Sequence, residues 1–184
     1  MRAFLKKITS LTPIAAGAAV AMIVVGILAI VGGNYAHEVV HEQLAPQKIR
    51  FLKPAVYPDL EKYAGQQVLT GEQARLFAND QIAADLKAIA GGLTYSQLVY
   101  SERNPLAQTG ASSTLVRQST ALFTGETLRG LLLNAWGWAK LGNTLIDAGI
   151  VLIIFGAILF LLPMLNWWLN LRGKPEKVAS EASP

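Results

Sequence analysis

The chain has 184 residues, of which 52% are hydrophobic and 15% charged. That is one domain's length, with more apolar character than a soluble domain of that size carries. Its net charge of +4 suggests a nucleic-acid partner until the charges are placed. Arg2, Lys6 and Lys7 precede one apolar block, and Arg172, Lys174 and Lys177 follow another. Between Asn34 and Asn143, ten basic residues meet nine acidic ones. The surplus therefore flanks the apolar blocks in the positive-inside pattern, and no basic groove for a phosphate backbone is left. The absence of cysteine excludes disulfides, thiol catalysis and cysteine–metal sites.

The first apolar block runs from Ile14 to Val31. It is longer than the ~7–15 residues of a signal-peptide core. Its best cleavage triplet, Asn34-Tyr35-Ala36, puts Asn where a small residue is wanted, so a retained anchor is expected. Gly17 and Ala21 form a small-xxx-small pair that would let another helix approach.

His37-Glu38-Val39-Val40-His41 follows, a literal His-Glu-x-x-His. In zinc hydrolases two imidazoles one turn apart bind the metal and the Glu activates water. A third protein ligand is required, yet the chain has only 2 histidines, so an acid such as Glu61 or Glu72 would have to serve. The expectation is two solvated histidines, with His37 and His41 kept as weak metal candidates.

Lys48 to Pro58 reads as an extended connector punctuated by Pro54 and Pro58, with a short edge strand at Ile49–Leu52. Thr70 to Ala90 is predicted helical. Thr70 and Gln73 suit a capping box, and Ala74, Ala78, Ile82, Leu86 and Ile89 mark an apolar face. Gly91-Gly92 provides a left-handed stop. Asp80 and Asp85 are expected on the solvated side. Thr94 and Gln97 repeat the capping pattern for a short helix ending at Asn104-Pro105. Gln108 to Ser113 reads as a polar loop.

From Thr114 a helical pattern resumes, with an interruption expected at Thr124-Gly125 and a second run from Glu126 to Lys140. Trp136, Trp138 and Lys140 suit one membrane interface. Ala148 to Trp168 carries no charge and matches the ~30 Å bilayer core. Trp167, Trp168 and Arg172 anchor its far end. Gly149 and Gly156 are candidate packing positions. Asp147 is an intramembrane polar candidate at the edge of this span, with Lys140 as its expected partner. The second span thus reads as the inner part of a long helix beginning near Glu126, unless Gly142-Asn143 breaks it. Lys174 to Pro184 is disordered by composition.

In order of features the chain resembles a family of small two-span actinobacterial membrane proteins. Many of these carry the label "aromatic ring-opening dioxygenase LigA". The resemblance lies in the basic N-terminus and first span, then Gln43-Leu44-Ala45 leading to Lys48-Ile49, and Phe77-Ala78 with Ile82. It continues through Gly91-Gly92-Leu93-Thr94-Tyr95-Ser96-Gln97-Leu98, Asn104-Pro105, and Ala121-Leu122-Phe123-Thr124 before the second span. It implies a membrane location and a mostly helical outer domain, and it implies no activity. Non-haem iron would need a cluster such as two His plus a carboxylate, which gives the dioxygenase label no support. The connector at Pro54–Pro58 and the Trp-bearing segment before the second span depart from the family pattern.

The sequence therefore predicts an all-α membrane protein, two transmembrane helices flanking a small helical extracytoplasmic domain. Its parts are a cytoplasmic N-terminus (1–12), a first span (13–33), an outer domain (34–143), a second span (144–168) and a cytoplasmic tail (169–184). The expected location is a bacterial plasma membrane with both termini cytoplasmic. The expected role is a non-enzymatic accessory subunit of a larger assembly. Its partners would be membrane lipid and other membrane proteins or further copies of itself, with no cofactor and no nucleic acid. Alternatives are a tethered zinc hydrolase on His37, Glu38 and His41, and a homo-oligomeric pore or ligand-sensing module.

Overall fold

The computed structural model describes residues 2–52, 57–102 and 112–172. The connector residues Pro54, Ala55 and Val56, the Asn104-Pro105 break, most of the 108–113 loop and the tail from 174 lie outside them. The described chain is helical: α1 (Arg2–Leu44), α2 (Gly71–Leu76), α3 (Ala83–Ala90), α4 (Tyr95–Glu102) and α5 (Ser112–Arg172). Short 3₁₀ turns occupy Ala45–Gln47 and Pro58–Tyr63, and a π-helical segment, Phe77–Ile82, joins α2 to α3. Two of the helices, α1 and α5, are long and apolar enough to cross a membrane. The chain divides into two compact units, Met1–Gly32 with Leu145–Pro184, and Gly33–Thr144.

The first unit is a helix pair whose close face is made of small residues. Ala19, Gly26, Gly149 and Gly156 are buried and recur every seven residues along each helix. A Cβ on Gly26 would fall 2.6 Å from the Gly149 carbonyl oxygen, and one on Gly149 would fall 2.5 Å from that of Gly26. A Cβ on Gly156 would likewise meet the Ala19 carbonyl at 2.8 Å. Only hydrogen fits in these places, so glycine lets the two backbones touch. Each glycine also receives an isoleucine of the facing helix: Ile153 at Gly26, Ile30 at Gly149 and Ile23 at Gly156. Most of the other described apolar side chains of the pair are exposed, and the rest are half-buried. Only 11% of either apolar window is buried, and Leu28, Val31, Leu162 and Met164 are all exposed.

The second unit has a side-chain core. Val40 and Leu44 of α1 meet Phe51, Leu60, Val68, Phe77, Ile82, Leu98, Leu122 and Leu132. Phe51 stacks on Tyr63 at 5.2 Å and meets Phe77 edge-on at 5.4 Å, the two geometries favoured by the ring quadrupole. The expected edge strand at Ile49–Leu52 reduces to one antiparallel bridge, Arg50 with Gln67. Beside it Val68 N–H donates to the Ile49 carbonyl at 2.8 Å.

The helix expected over Thr70–Ala90 forms with its cap. Thr70 Oγ1 accepts from Gln73 N–H at 3.2 Å, and Gln73 Oε1 accepts from Thr70 N–H at 3.1 Å. Its apolar face departs from the simple helical reading. Ala74, Ala78, Ile82 and Leu86 are buried, but Ile89 is exposed and Ala90 is buried in its place. The π segment adds residues to the turn and rotates the helix beyond it, so the inward position moves on by one. It also turns Gln81 into the core, where Gln81 Oε1 accepts the Leu52 N–H at 3.0 Å. Gly91 takes the left-handed cap at φ 61°.

The interruption expected at Thr124-Gly125 is absent, and so is any break at Gly142-Asn143: α5 is continuous from Ser112 to Arg172, through Pro163 as well. The glycines serve close approach. A Cβ on Gly125 would run into the Leu86 side chain, and one on Gly142 would lie 2.8 Å from the Gly33 carbonyl.

Candidate functional site

Two places in the Gly33–Thr144 unit concentrate polar side chains on a helical frame. The first surrounds the π segment. A π turn leaves backbone carbonyls without ordinary helical partners, and such turns recur at functional positions. The Ala78 carbonyl accepts from the Ala83 N–H, and Arg129 of α5 adds a second donor: its Nε donates to that carbonyl at 3.0 Å and a terminal nitrogen donates to Asn79 Oδ1 at 3.3 Å. The other terminal nitrogen pairs with Glu126 at 2.8 Å. Asp85, expected on the solvated side, instead accepts a hydrogen bond from the Tyr57 hydroxyl. Burial, reinforced by this carboxylate, pushes the Tyr57 phenol up to about 12. On α2, the Arg75 hydrogen bonds hold the Glu72 carboxyl below its ordinary value, with the Lys62 and Lys140 charges adding to the effect.

The second place is the His-Glu-x-x-His stretch of α1. His37 Nε2 lies 2.9 Å from Asn143 Oδ1 on α5. Its ring also covers Gly142, where a Cβ would fall 3.2 Å from both Cδ2 and Nε2. His37 thus holds, in this unit, the glycine-facing place that Ile23 and Ile30 hold in the other. His41 and Glu38 are exposed. Among the described residues no three His, Cys, Asp or Glu side chains gather to hold a metal. Glu72 pairs with Arg75 at 2.6 Å.

The same unit holds a groove of about 780 Å³. Tyr35, Ala36, Val39, Val40, Gln43 and Leu44 of α1 form one wall, continued by Gln47 and Ile49. Leu128, Leu131, Leu132, Asn134, Ala135 and Trp138 of α5 form the other. Among the described residues no charged side chain lines it.

The expected anchors occupy different surroundings. Trp138 is exposed in the groove wall, Trp136 is half-buried and Lys140 is exposed. Trp168 is exposed beside Leu161, Leu162 and Leu165. The side chains of Trp167 and Arg172 lie outside those described. Asp147 is exposed on α5. Of the packing candidates, Gly149 and Gly156 sit in the close face of the helix pair, whereas Gly17 has nothing near it and Ala21 is exposed. Sequence reasoning missed Gly26, Gly142, Asn143 and the groove. The seven-residue spacing of Ala19, Gly26 and Gly33, matched by Gly142, Gly149 and Gly156, was the available signal for the first two.

The fold is thus an all-helical frame with two helices of membrane-spanning character. No protein-family model, curated protein or solved structure matches the chain.

Proposed function

We propose that the chain is a two-span bacterial plasma-membrane protein acting as a non-enzymatic interaction subunit. One observation carries the reading: the apolar windows of α1 and α5 are 11% buried. The core helix of a soluble protein would hide most of that surface, and a contiguous apolar face this large in water marks a membrane or protein contact. The glycine-to-glycine contact of Gly26 with Gly149 supports a retained first span, because a cleaved leader has no need of a fitted partner helix. The likeness to the actinobacterial two-span proteins points to the same location and to no chemistry. With α1 and α5 already paired through their small residues, the faces left for partners are the outward ones, including Gly17 and Ala21.

The chain has no cysteine, so single cysteines report topology without background. Ser96→Cys should react with a membrane-impermeant maleimide on intact cells, and Ser180→Cys only after permeabilisation. Labelling of both on intact cells would reject the topology, and recovery of the chain in the soluble fraction would reject the membrane location. Purification in mild detergent at native abundance should bring a second membrane protein or a further copy. A lone monomer would sink the subunit role.

A further inference from the structure

We propose that the groove between α1 and α5 in the Gly33–Thr144 unit binds the acyl chain of a membrane phospholipid. The inference rests on the membrane reading above. The groove's volume of about 780 Å³ falls within the ~300–1,000 Å³ of small-ligand sites. Its lining is mostly apolar, and its polar members, Tyr35, Gln43, Gln47 and Asn134, carry no charge. Burying a charged group there would leave that group unpaired, whereas an alkyl chain asks for no partner. The occupant's buried part is therefore neutral and apolar.

Shape narrows the choice further. The α1 wall from Tyr35 to Gln47 runs roughly 18 Å at the helical rise. A partner helix about 10–12 Å across could seat only one face in it. A linear alkyl chain is far slimmer and fits lengthwise. Supply follows from the sequence, since each wall belongs to a helix, α1 or α5, that also carries an apolar stretch. Tyr35 and Trp138, the residues of each wall nearest those stretches in sequence, are the aromatic types that sit at the level of lipid headgroups. An acyl chain entering past them would lie against Val39, Leu131 and Leu132, with the amides of Gln43, Gln47 and Asn134 free to bond an ester or glycerol oxygen.

The test uses the full chain in nanodiscs made with a phospholipid bearing a diazirine in its acyl chain. After photolysis, adducts are mapped by peptide mass spectrometry. Adducts are expected in residues 35–49 and 128–138 as well as in both apolar spans. Filling the groove with Ala36→Trp, or independently with Val39→Trp, should lower the groove adducts at least tenfold and leave the span adducts unchanged. Labelled spans with a bare groove overturn this proposal and leave the membrane reading standing. Labelling nowhere, from a chain found in the soluble fraction, removes both. Undiminished groove adducts in both well-folded filling variants also overturn it, as does a cross-link showing the groove covered by a second copy or another protein. Should both variants misfold, native mass spectrometry of the unaltered chain after detergent exchange decides. One retained phospholipid supports the site, and a lipid-free protein rejects it.

Discussion

The two units solve the packing of the same two helices in opposite ways. In the Met1–Gly32 and Leu145–Pro184 unit, contact is made by removing side chains: Gly26, Gly149 and Gly156 bring backbone to backbone, and apart from the isoleucines seated on them most of the described large residues are exposed. In the Gly33–Thr144 unit, contact is made by adding them: among the described residues, fifteen buried hydrophobics form a core around Phe51 and Phe77. Under the membrane reading proposed above, the difference follows the solvent each unit would meet. In water, burying apolar side chains is the main gain. Among lipid tails that gain vanishes, and close backbone packing takes its place.

Substitutions can break either half of that contrast. Phe77→Ala should be the most damaging, at about 3–5 kcal/mol for a buried aromatic, read as lost hydrogen-exchange protection across α2, α3 and α4. Protection in the apolar helix pair should persist, and its collapse alongside would show that the two solutions are not separate. Gly149→Leu should cost about 1–3 kcal/mol or more by overpacking against a backbone that cannot yield, measured by thermal unfolding in detergent. Gly17→Leu, in open space, should be neutral. Equal effects at the two positions would remove the small-residue account.

Arg129→Met should cost about 1–2 kcal/mol, because the Ala78 carbonyl of the π segment loses its charged donor and keeps only the Ala83 N–H. An unchanged melting curve would mean that water serves equally well there. Tyr57 gives a pH signature. Its folded pKa of about 12 exceeds the ordinary ~10 of an unfolded phenol. The stability it adds is therefore complete below pH ~10 and lost as pH rises towards ~12. The decline should be about 1–2 kcal/mol, the phenol being only partly buried, and Tyr57→Phe should flatten it. Smallest is Thr70→Ala, about 1 kcal/mol for a lost N-cap, confined to faster exchange in the first turn of α2.

What the sequence made legible is what is local. The Thr70–Gln73 and Thr94–Gln97 boxes, the Gly91 stop and the two apolar stretches each depend on neighbours a few residues away. All of them form. Most of the misreadings share one cause, a partner far along the chain. Gly125 and Gly142 look like helix breakers because glycine usually punctuates. Their role is set by Leu86 and by Gly33, which pattern alone cannot bring beside them. The exposure of Ile89 comes from a π turn that no propensity announces. Of the candidate site, Trp138 was read as an interface residue. The groove it lines requires α1 and α5 to be paired before it exists.

The seven-residue rhythm of the close-packed face has a further consequence. A repeat of glycine met by isoleucine is the same at every step, so a helix pair built only of it could slide by two turns and find equal contacts. The third member of the series Ile23, Ile30, His37 breaks that degeneracy. An imidazole there finds Asn143 at 2.9 Å, and a slipped pair would strand it against an apolar neighbour. Single polar residues in helical repeats act as such keys, giving up some stability to make one alignment distinct from its copies. The first residue of the His-Glu-x-x-His stretch would, in this packing, serve as a vernier mark.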